Sequence, residues 1–228
     1  MATAPARLTP FYILLGVLAM AGVAALLYLT TRPPAVSIPA DVAVEVADTA
    51  GFRGYLLGSD SAPLEITEYA DYQCPACGLF ETVQFPDVRT RLIQAGRLRW
   101  RFRDFPLNQH QHARVAAHSA ACAAEQGRFW EQHGAIFQGQ AEWTPKRDAA
   151  EIFRGYARQN GLDLTAYDAC MQAAKFAGRI QASLEEGIKV GVSSTPSFVI
   201  GGRIYSGSQP YDRLKALVDS LTPAPDDR

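Results

Sequence analysis

"EYADYQCPACGLFE" (residues 68–81) places two cysteines at the point where an alternating apolar segment gives way to a helical pattern. Pro75 follows the first cysteine, and proline is tolerated in the first turn of a helix because the N–H that it lacks would have no partner there. The stretch therefore predicts a helix that begins at Cys74. Three interpretations of Cys74 and Cys77 are open at this point: a redox couple, half of a metal site, or two small buried residues.

A C-x-x-C pair at a strand-to-helix junction favours the redox interpretation. Unpaired N–H groups and the helix dipole stabilise a thiolate at a helix N-terminus, so the pKa of Cys74 is expected to be lowered, to roughly 3.5 to 7.5 as in such motifs. Cys74 is then the nucleophile, and Cys77 resolves the mixed disulfide. A four-cysteine zinc site would normally bring a second C-x-x-C, whereas Cys122 and Cys170 stand apart downstream. We therefore expect no metal.

The segments on either side of the cysteines predict a strand, a helix and a second strand. "APLEITEY" (residues 62–69) and "RLRWRFRDF" (residues 97–105) alternate apolar and polar residues, as half-buried strands do. The helix between them is expected to start at Cys74 and to run on towards the second strand with a kink at Pro86.

The rest of the globular part is predicted to be helical and to end in a hairpin. Residues 107–190 are rich in Ala, Gln and Glu and have almost no strand pattern. "PSFVIGGRIYSG" (residues 196–207) then contains two short β runs around Gly201 and Gly202, a two-residue turn that requires positive φ angles. A closing helix is expected at residues 211–221. The predicted order is βαβ, helical insertion, ββα, an α/β fold.

The N-terminal region predicts a membrane span. Residues 11–29 run for 19 residues without a charge, the length that a bilayer core requires. A buried core helix and a cleaved signal peptide are the alternatives, but the apolar core of a signal peptide is usually about 7 to 15 residues long. We expect a cytoplasmic segment at 1–10, a transmembrane signal anchor at 11–31 and a proline-containing tether at 32–53.

Composition argues against one class of partner. The formal net charge is -1 at pH 7, so the chain lacks the basic surface with which nucleic-acid binders neutralise phosphates. We expect no nucleic-acid partner. The four cysteines are too few for a disulfide scaffold, but their even number permits two pairs.

"EYADYQCPAC" (residues 68–77), followed far downstream by "GVSSTPSFVIGG" (residues 191–202), resembles the DsbA-like branch of the thioredoxin superfamily, which includes membrane-anchored thiol:disulfide oxidoreductases. The resemblance covers about Gly54 to Leu221. It implies a thioredoxin fold with an inserted helical domain, in which the core segments are 54–106 and 191–221, the insertion is 107–190 and the tail is 222–228.

The resemblance also implies roles for the residues of the C-x-x-C motif. Cys74 takes the position of the attacking cysteine and Cys77 that of the resolving cysteine, so the two would form the redox disulfide. Pro75 and Ala76 take the positions of the intervening pair, which tunes the reduction potential in the family.

Three more residues are expected beside the cysteine pair. The resemblance makes Pro196 a cis-proline opposite the motif, and the backbone of the preceding Thr195 would bind an extended substrate segment in the manner of an added strand. A trans proline at the start of a strand is the alternative. Glu68 matches a buried acid of the family, whose raised pKa would let it exchange protons with Cys77. The alternative for Glu68 is an exposed strand residue.

Cys122 and Cys170 lie on different predicted helices of the insertion. Some DsbA-like relatives carry a second, structural disulfide in their helical domain, and the resemblance implies the same pairing here. The alternative is two separate buried thiols, since free cysteine packs as a small hydrophobic residue.

Together these expectations describe a membrane-tethered dithiol oxidase on the extracytoplasmic (periplasmic) face, where disulfides persist. Its substrates would be reduced or unfolded proteins, and a membrane-bound, quinone-linked oxidase would reoxidise it. No cofactor is expected. A reductase or isomerase on the same fold is the nearest rival, and a peptide-binding module with non-catalytic cysteines is a rival from another class. The residues alone do not set the direction of electron flow.

Overall fold

The computed structural model describes residues 9–31 and 36–222, and the chain divides between residues 35 and 36 into two compact units. The predicted segment 1–10 and tail 222–228 therefore lie almost entirely outside the described residues. In the first unit, helix α1 spans Thr9–Thr31. Its segment Pro10–Tyr28 is long and apolar enough to cross a membrane, although a signal sequence would satisfy the same criteria.

The second unit is a five-stranded sheet with helices. Its strands are β1 (Tyr55–Leu57), β2 (Glu65–Ala70), β3 (Arg99–Asp104), β4 (Ser197–Ile200) and β5 (Arg203–Ser206). Its helices are α2 (Val46–Thr49), α3 (consecutive stretches Pro75–Leu79, Phe80–Gln84, Phe85–Val88 and Arg89–Ile93), α4 (Ala113–Ala124), α5 (Phe129–Gln138), α6 (Gln140–Trp143), α7 (Ala150–Gln159), α8 (Leu164–Gln172), α9 (Ala177–Val190) and α10 (Tyr211–Leu221).

The strand order β1-β3-β2-β4-β5 puts β2 in the middle of the sheet. Strands β2 and β3 are parallel and are connected through α3, whereas the other pairs are antiparallel. The predicted strand, helix, strand unit is thus confirmed. The predicted hairpin is confirmed as well, and Gly201 and Gly202 have φ angles of 56° and 77° in its turn. Strand β1, which extends the sheet beyond β3, was not predicted.

Helix α3 runs on through Pro86, as the sequence predicts. It is continuous, but its stretches Phe80–Gln84 and Arg89–Ile93 are π-helical. The N–H of Phe85 donates to the carbonyl of Phe80, five residues back, immediately before the proline. Such a widened turn commonly relieves a break in the regular hydrogen-bond ladder. The helix therefore continues past Pro86.

Two large apolar clusters hold the second unit together. One lies between the sheet, α3 and α10, and its fully buried members include Ile66, Trp100 and Phe198. The other extends through the helical segment between β3 and β4 and reaches back to Phe102 on the sheet. The partly buried side chain of Trp130 packs against both clusters. The helical insertion and the sheet thus share one continuous interior, which fixes where the insertion's side chains meet the cysteine motif.

The tether predicted at 32–53 is wrong in its second part. Residues 36–53 belong to the globular unit, and Ile38 is buried there. The Phe52 ring contacts the Tyr55 ring edge to face, with centroids 5.0 Å apart. The guanidinium of Arg179 lies 4.3 Å from the Phe52 centroid. A few apolar residues among prolines and acids are enough to bind this segment to the domain surface. Residues 32–35 lie outside the described part.

Helices α4 and α8 are joined by a disulfide between Cys122 and Cys170, whose Cα atoms are 5.9 Å apart. The predicted pairing is confirmed, and the alternative of two separate thiols is excluded for this structure. Both residues are buried.

Loss of this disulfide should destabilise the fold. A cross-link that closes a loop of 48 residues restricts the unfolded chain, and removing such a bond typically costs about 2 to 4 kcal/mol. We expect the Cys122→Ala/Cys170→Ala variant to lose about that much unfolding free energy in urea denaturation. Cys74→Ser, which leaves the disulfide intact, is the control. Equal unfolding free energies for the wild type and the double variant would show that the bond does not stabilise the fold.

Candidate active site

The two cysteines of the motif lie in the first turn of α3. Cys74 is the residue that precedes the helix, and Pro75 occupies its first position, as the sequence predicts. The helix starts here because the carbonyl of Cys74 accepts the N–H of Gly78 at 3.0 Å. Cys74 is 7% exposed and Cys77 is fully buried, so only the first cysteine has any access to solvent.

The two thiols have opposite electrostatic environments. A hydrogen bond from the Cys77 thiol, joined by the Ala76 and Cys77 N–H groups, lowers the pKa of Cys74 to about 5 against the opposing effect of burial. Burial raises the pKa of Cys77 well above its ordinary value, and the Cys74 sulfur raises it further. At neutral pH the pair therefore holds a thiolate at Cys74 and a proton at Cys77.

The loop before β4 lies against the nucleophile. The peptide bond between Thr195 and Pro196 is cis, so the predicted isomer is confirmed and the trans alternative is wrong. The Cys74 thiol contacts the Thr195 carbonyl at 3.4 Å, although the two residues are 121 positions apart. The Thr195 side chain also helps to lower the pKa of Cys74. The fold thus brings together the two motifs that the sequence shows separately.

Glu68 is fully buried on the central strand β2. The alternative of an exposed strand residue is therefore wrong. One carboxyl oxygen accepts the indole N–H of Trp100 at 3.2 Å. Burial raises the pKa of Glu68 well above its usual value, and the neighbouring Glu81 carboxyl raises it further. A charge on Glu68 would in turn raise the pKa of Cys77, which places the carboxyl close to the buried thiol.

Glu81 and His133 complete a buried polar cluster that sequence reasoning missed. His133 Nε2 lies 3.3 Å from Glu81 Oε2, and His133 Nδ1 lies 2.8 Å from the Tyr72 hydroxyl. Burial raises the pKa of Glu81 to about 8 and lowers the pKa of His133 to about 3. The spacing of Glu81, four residues after Cys77 on one helix, could have indicated its position, whereas nothing local pointed to His133.

A second side chain from the insertion holds the motif itself. Gln140, at the start of α6, donates through Nε2 to the carbonyls of Tyr72 at 2.7 Å and Cys74 at 3.0 Å. Gly78 has no room for a larger side chain, because a Cβ there would lie 2.5 Å from the Gln140 side chain. The helical insertion is thus in direct contact with the reactive turn.

Asp71 connects the motif to the loop that follows β3. Its buried carboxylate accepts the N–H groups of Gln73 and Leu107, each at 2.7 Å, and the Nδ1–H of His110 at 2.8 Å. Burial raises the pKa of Asp71, and these three donors oppose the rise. Sequence reasoning identified neither Asp71 nor His110 as part of the site. Their contact spans 39 positions and leaves no local signal.

One buried cluster outside this site has atoms that metals bind. His118 Nδ1 and the sulfurs of Cys122 and Cys170 lie within 4.8 Å of one another. The two sulfurs form the disulfide and so are not thiolate ligands. The backbone N–H of Phe176 donates to His118 Nε2, which leaves the imidazole proton on Nδ1, facing the sulfurs of Cys122 and Met171 at 3.5 and 3.3 Å. With the disulfide formed, His118, Cys122 and Cys170 are therefore a buried disulfide and a hydrogen-bonded histidine rather than a metal site.

Comparison with known proteins agrees with the fold. A family model described as Thioredoxin matches residues 53–220. In fold, the chain is similar to alpha-DsbA1 from Wolbachia pipientis, with a TM-score of 0.67 and 24% identity over 74% of this chain and 90% of that one.

Two curated relatives, which have different names and lengths, also match the chain. The chain is 36% identical to the Na(+)/H(+) antiporter NhaA 3 of Salinispora tropica over 74% of its own length. It spans only 24% of that antiporter. It is 23% identical to the probable disulfide bond formation protein D of Bacillus anthracis, over 72% of this chain and 76% of the relative.

The charge on Cys74 can be measured directly. In the reduced protein, the ultraviolet absorbance of the thiolate should titrate with a pKa of about 5. Cys77→Ala removes the hydrogen bond that lowers the pKa most, so the titration should move to higher pH. Cys122→Ala/Cys170→Ala, which leaves the motif intact, should titrate as the wild type does. A wild-type value near the ordinary thiol pKa of about 8.5 would contradict the stabilised thiolate.

The lowered pKa of Cys74 also makes the stability of the reduced protein depend on pH. The folded pKa of Cys74 lies below its unfolded value, so the unfolded state binds the proton more readily. The contribution of Cys74 is therefore fully present above about pH 8.5 and is lost as the pH falls through about 5. Urea denaturation of the reduced wild type across this range should show the loss, and Cys74→Ser should remove this component.

Proposed function

This chain belongs to the thioredoxin family, with its DsbA-like thiol:disulfide oxidoreductases, and on that premise we propose that it is a dithiol oxidase for proteins outside the cytoplasm. In each cycle the Cys74–Cys77 disulfide would pass to a reduced substrate protein, and the enzyme would be left with two thiols.

The observation that carries this proposal is the stabilised Cys74 thiolate. A pKa of about 5 lies between the values of about 7 for thioredoxin and about 3.5 for DsbA. Stabilising the thiolate stabilises the reduced enzyme relative to its disulfide, which makes the disulfide a stronger oxidant. The geometry therefore favours transfer of the disulfide from the enzyme to the substrate.

The reaction takes two exchanges. A substrate thiolate attacks Cys74 Sγ, the bond to Cys77 breaks, and the electron pair goes to the Cys77 sulfur. Cys77 takes a proton because burial raises its pKa, and Glu68, whose pKa is also raised, is the acid that supplies it. The second substrate thiolate then attacks the substrate sulfur of the mixed disulfide. Cys74 leaves as the stabilised thiolate.

Thr195 and Pro196 are proposed to bind the substrate segment around its cysteine. The Thr195 carbonyl contacts Cys74, so a chain that paired with this backbone would carry its own cysteine towards the nucleophile. Pro75, which is exposed, and the half-buried Ala76 are proposed to tune the potential, since they lie in the turn whose N–H groups face Cys74.

The same chemistry supports a compartment for the catalytic domain and a partner that reoxidises it. A formed disulfide between Cys122 and Cys170 supports an oxidising compartment, and helix α1 is long and apolar enough to anchor the chain in a membrane. We place the catalytic domain on the extracytoplasmic, periplasmic face. A membrane-bound, quinone-linked oxidase would then reoxidise the Cys74–Cys77 pair within the same plane.

The reduction potential decides between oxidase and reductase. With a Cys74 pKa of about 5, we expect a value between about -270 mV, typical of thioredoxin, and about -120 mV, typical of DsbA. Equilibration of the purified protein with glutathione buffers, followed by thiol trapping, gives this value. A potential at or below that of thioredoxin would contradict the oxidase and favour the reductase.

Oxidative refolding of a reduced, unfolded protein tests the activity itself. The oxidised wild type should return disulfides and activity to the substrate, and Cys74→Ser should not. A peptide-binding module with non-catalytic cysteines would instead keep its full effect on refolding in the Cys74→Ser variant, and that result would overturn the proposal.

Glu68→Gln should slow the exchange and leave the fold intact. Glutamine can still accept the Trp100 hydrogen bond, but it cannot give a proton to Cys77. General acid catalysis is typically worth about 10²- to 10⁴-fold, and solvent can partly replace the carboxyl, so we expect about a 10- to 100-fold slower reduction of the disulfide at neutral pH. Stopped-flow fluorescence follows this step. An unchanged rate in the folded variant would remove Glu68 from the mechanism.

A further inference from the structure

The imidazole of His110 is fixed in one orientation by a buried carboxylate. Both oxygens of Asp71 already accept backbone N–H groups, so the carboxylate acts as an acceptor towards His110 Nδ1 at 2.8 Å. The proton of the neutral imidazole is therefore on Nδ1, and Nε2 carries a free lone pair. The Asp71 side chain is fully buried and that of His110 is 19% exposed, so the ring reaches from the interior to the surface.

This oriented ring lies beside the segment that leads into the nucleophile. The backbone carbonyl of Asp71 accepts the N–H of Cys74 at 3.1 Å, so one residue is bonded to both His110 and Cys74. The next contact strengthens the arrangement, since the Gln73 side chain accepts the N–H of His112 at 2.7 Å. The loop that carries His110 is thus held against the residues immediately before Cys74.

The outer nitrogen of His110 is available to a group that arrives from solvent. Within the described part of the chain, no hydrogen bond or ion pair involves His110 Nε2, whereas Nε2 of the neighbouring His112 contacts the Lys146 carbonyl at 2.7 Å. Among the described residues no hydrogen bond joins His110 to Cys74, so the lone pair of Nε2 is not bonded to the enzyme's own sulfur.

A base beside the active site would speed the attack of a substrate thiol. An ordinary cysteine has a pKa of about 8.5, so only roughly 3% of it is thiolate at pH 7, and the thiolate is the nucleophile. Among the described residues, the groups that lower the pKa of Cys74 are hydrogen-bond donors, which do not accept a proton from an incoming thiol. A histidine oriented by an acid has the arrangement that activates nucleophiles in other enzymes.

We propose that His110, held by Asp71, is the catalytic base that deprotonates the incoming substrate thiol. The inference rests on the proposed oxidase function and deepens it. The substrate S–H gives its proton to His110 Nε2, and Asp71 stabilises the imidazolium. The new thiolate attacks Cys74 Sγ, the Cys74–Cys77 bond breaks, and Cys77 receives the electron pair and a proton from Glu68. His110 then releases its proton to water.

The charged surroundings of this dyad are few. The charge that faces His110 within the described residues is the Asp71 carboxylate. Asp104, at the end of β3, pairs in the sheet with Ala70, the residue before Asp71, and the Asp71 charge raises its pKa. A second acidic group therefore lies next to the dyad.

The test compares two thiols that differ in their need for a base. His110→Gln can still donate to Asp71 but is not basic. At pH 7, the second-order rate constant of the oxidised variant with a cysteine peptide of ordinary pKa should be about 10-fold lower than that of the wild type. Full ionisation of such a thiol is worth at most roughly 30-fold. With thionitrobenzoate, a thiol already ionised at pH 7, the rate constant should equal that of the wild type. The difference with the peptide should vanish above about pH 9, where the peptide is itself ionised.

The control is His112→Gln, a histidine of the same loop whose ring nitrogen is already bonded; it should react as the wild type with both thiols. An equal loss for both thiols in His110→Gln would show a purely structural role, and no loss with the peptide would exclude the base; either result overturns the inference and leaves the oxidase intact. If the oxidised wild type reacted with neither thiol, the proposed function itself would fail, and the inference with it.

Discussion

The negative charge on Cys74 has to be stabilised at a position that is only 7% exposed, and much of the site serves that requirement. Little water reaches this sulfur, so most of the stabilisation comes from the Cys77 thiol, the first-turn N–H groups of α3 and the Thr195 side chain. These groups come from two parts of the chain. The N–H groups and the Cys77 thiol belong to the first turn of α3, and Thr195 belongs to the loop before β4. The position of one sulfur thus depends on the packing of the whole sheet.

The opposite requirement governs the interior side of the pair. Cys77, Glu68 and Glu81 are buried, and burial raises the pKa of all three. A charge on Glu81 disfavours a charge on Glu68, and a charge on Glu68 disfavours a charge on Cys77. In the reduced pair the proton is therefore held on the inner sulfur, Cys77, and the negative charge on the outer sulfur, Cys74.

The helical insertion is part of the active site. Gln140 binds the backbone of the cysteine turn, His133 contacts Glu81, and the loop that enters the insertion carries His110. The apolar cluster that runs from the insertion to Phe102 keeps these groups in place. The disulfide between Cys122 and Cys170 joins helices α4 and α8 of the insertion.

The amino-acid sequence by itself determined the features that near neighbours control. The helix start at Cys74, the β2 and β3 strands, the Gly201–Gly202 turn and the apolar N-terminal helix follow from proline, alternation, positive φ and length. The second part of the tether and the π-helical turns of α3 escaped prediction, because a few contacts to distant residues outweighed local composition. Only the tertiary structure decided that Glu81 meets His133, that Asp71 holds His110 and that Gln140 reaches Cys74. Hydrogen bonds between residues tens of positions apart have no period or spacing, so only the packed fold can bring such partners together.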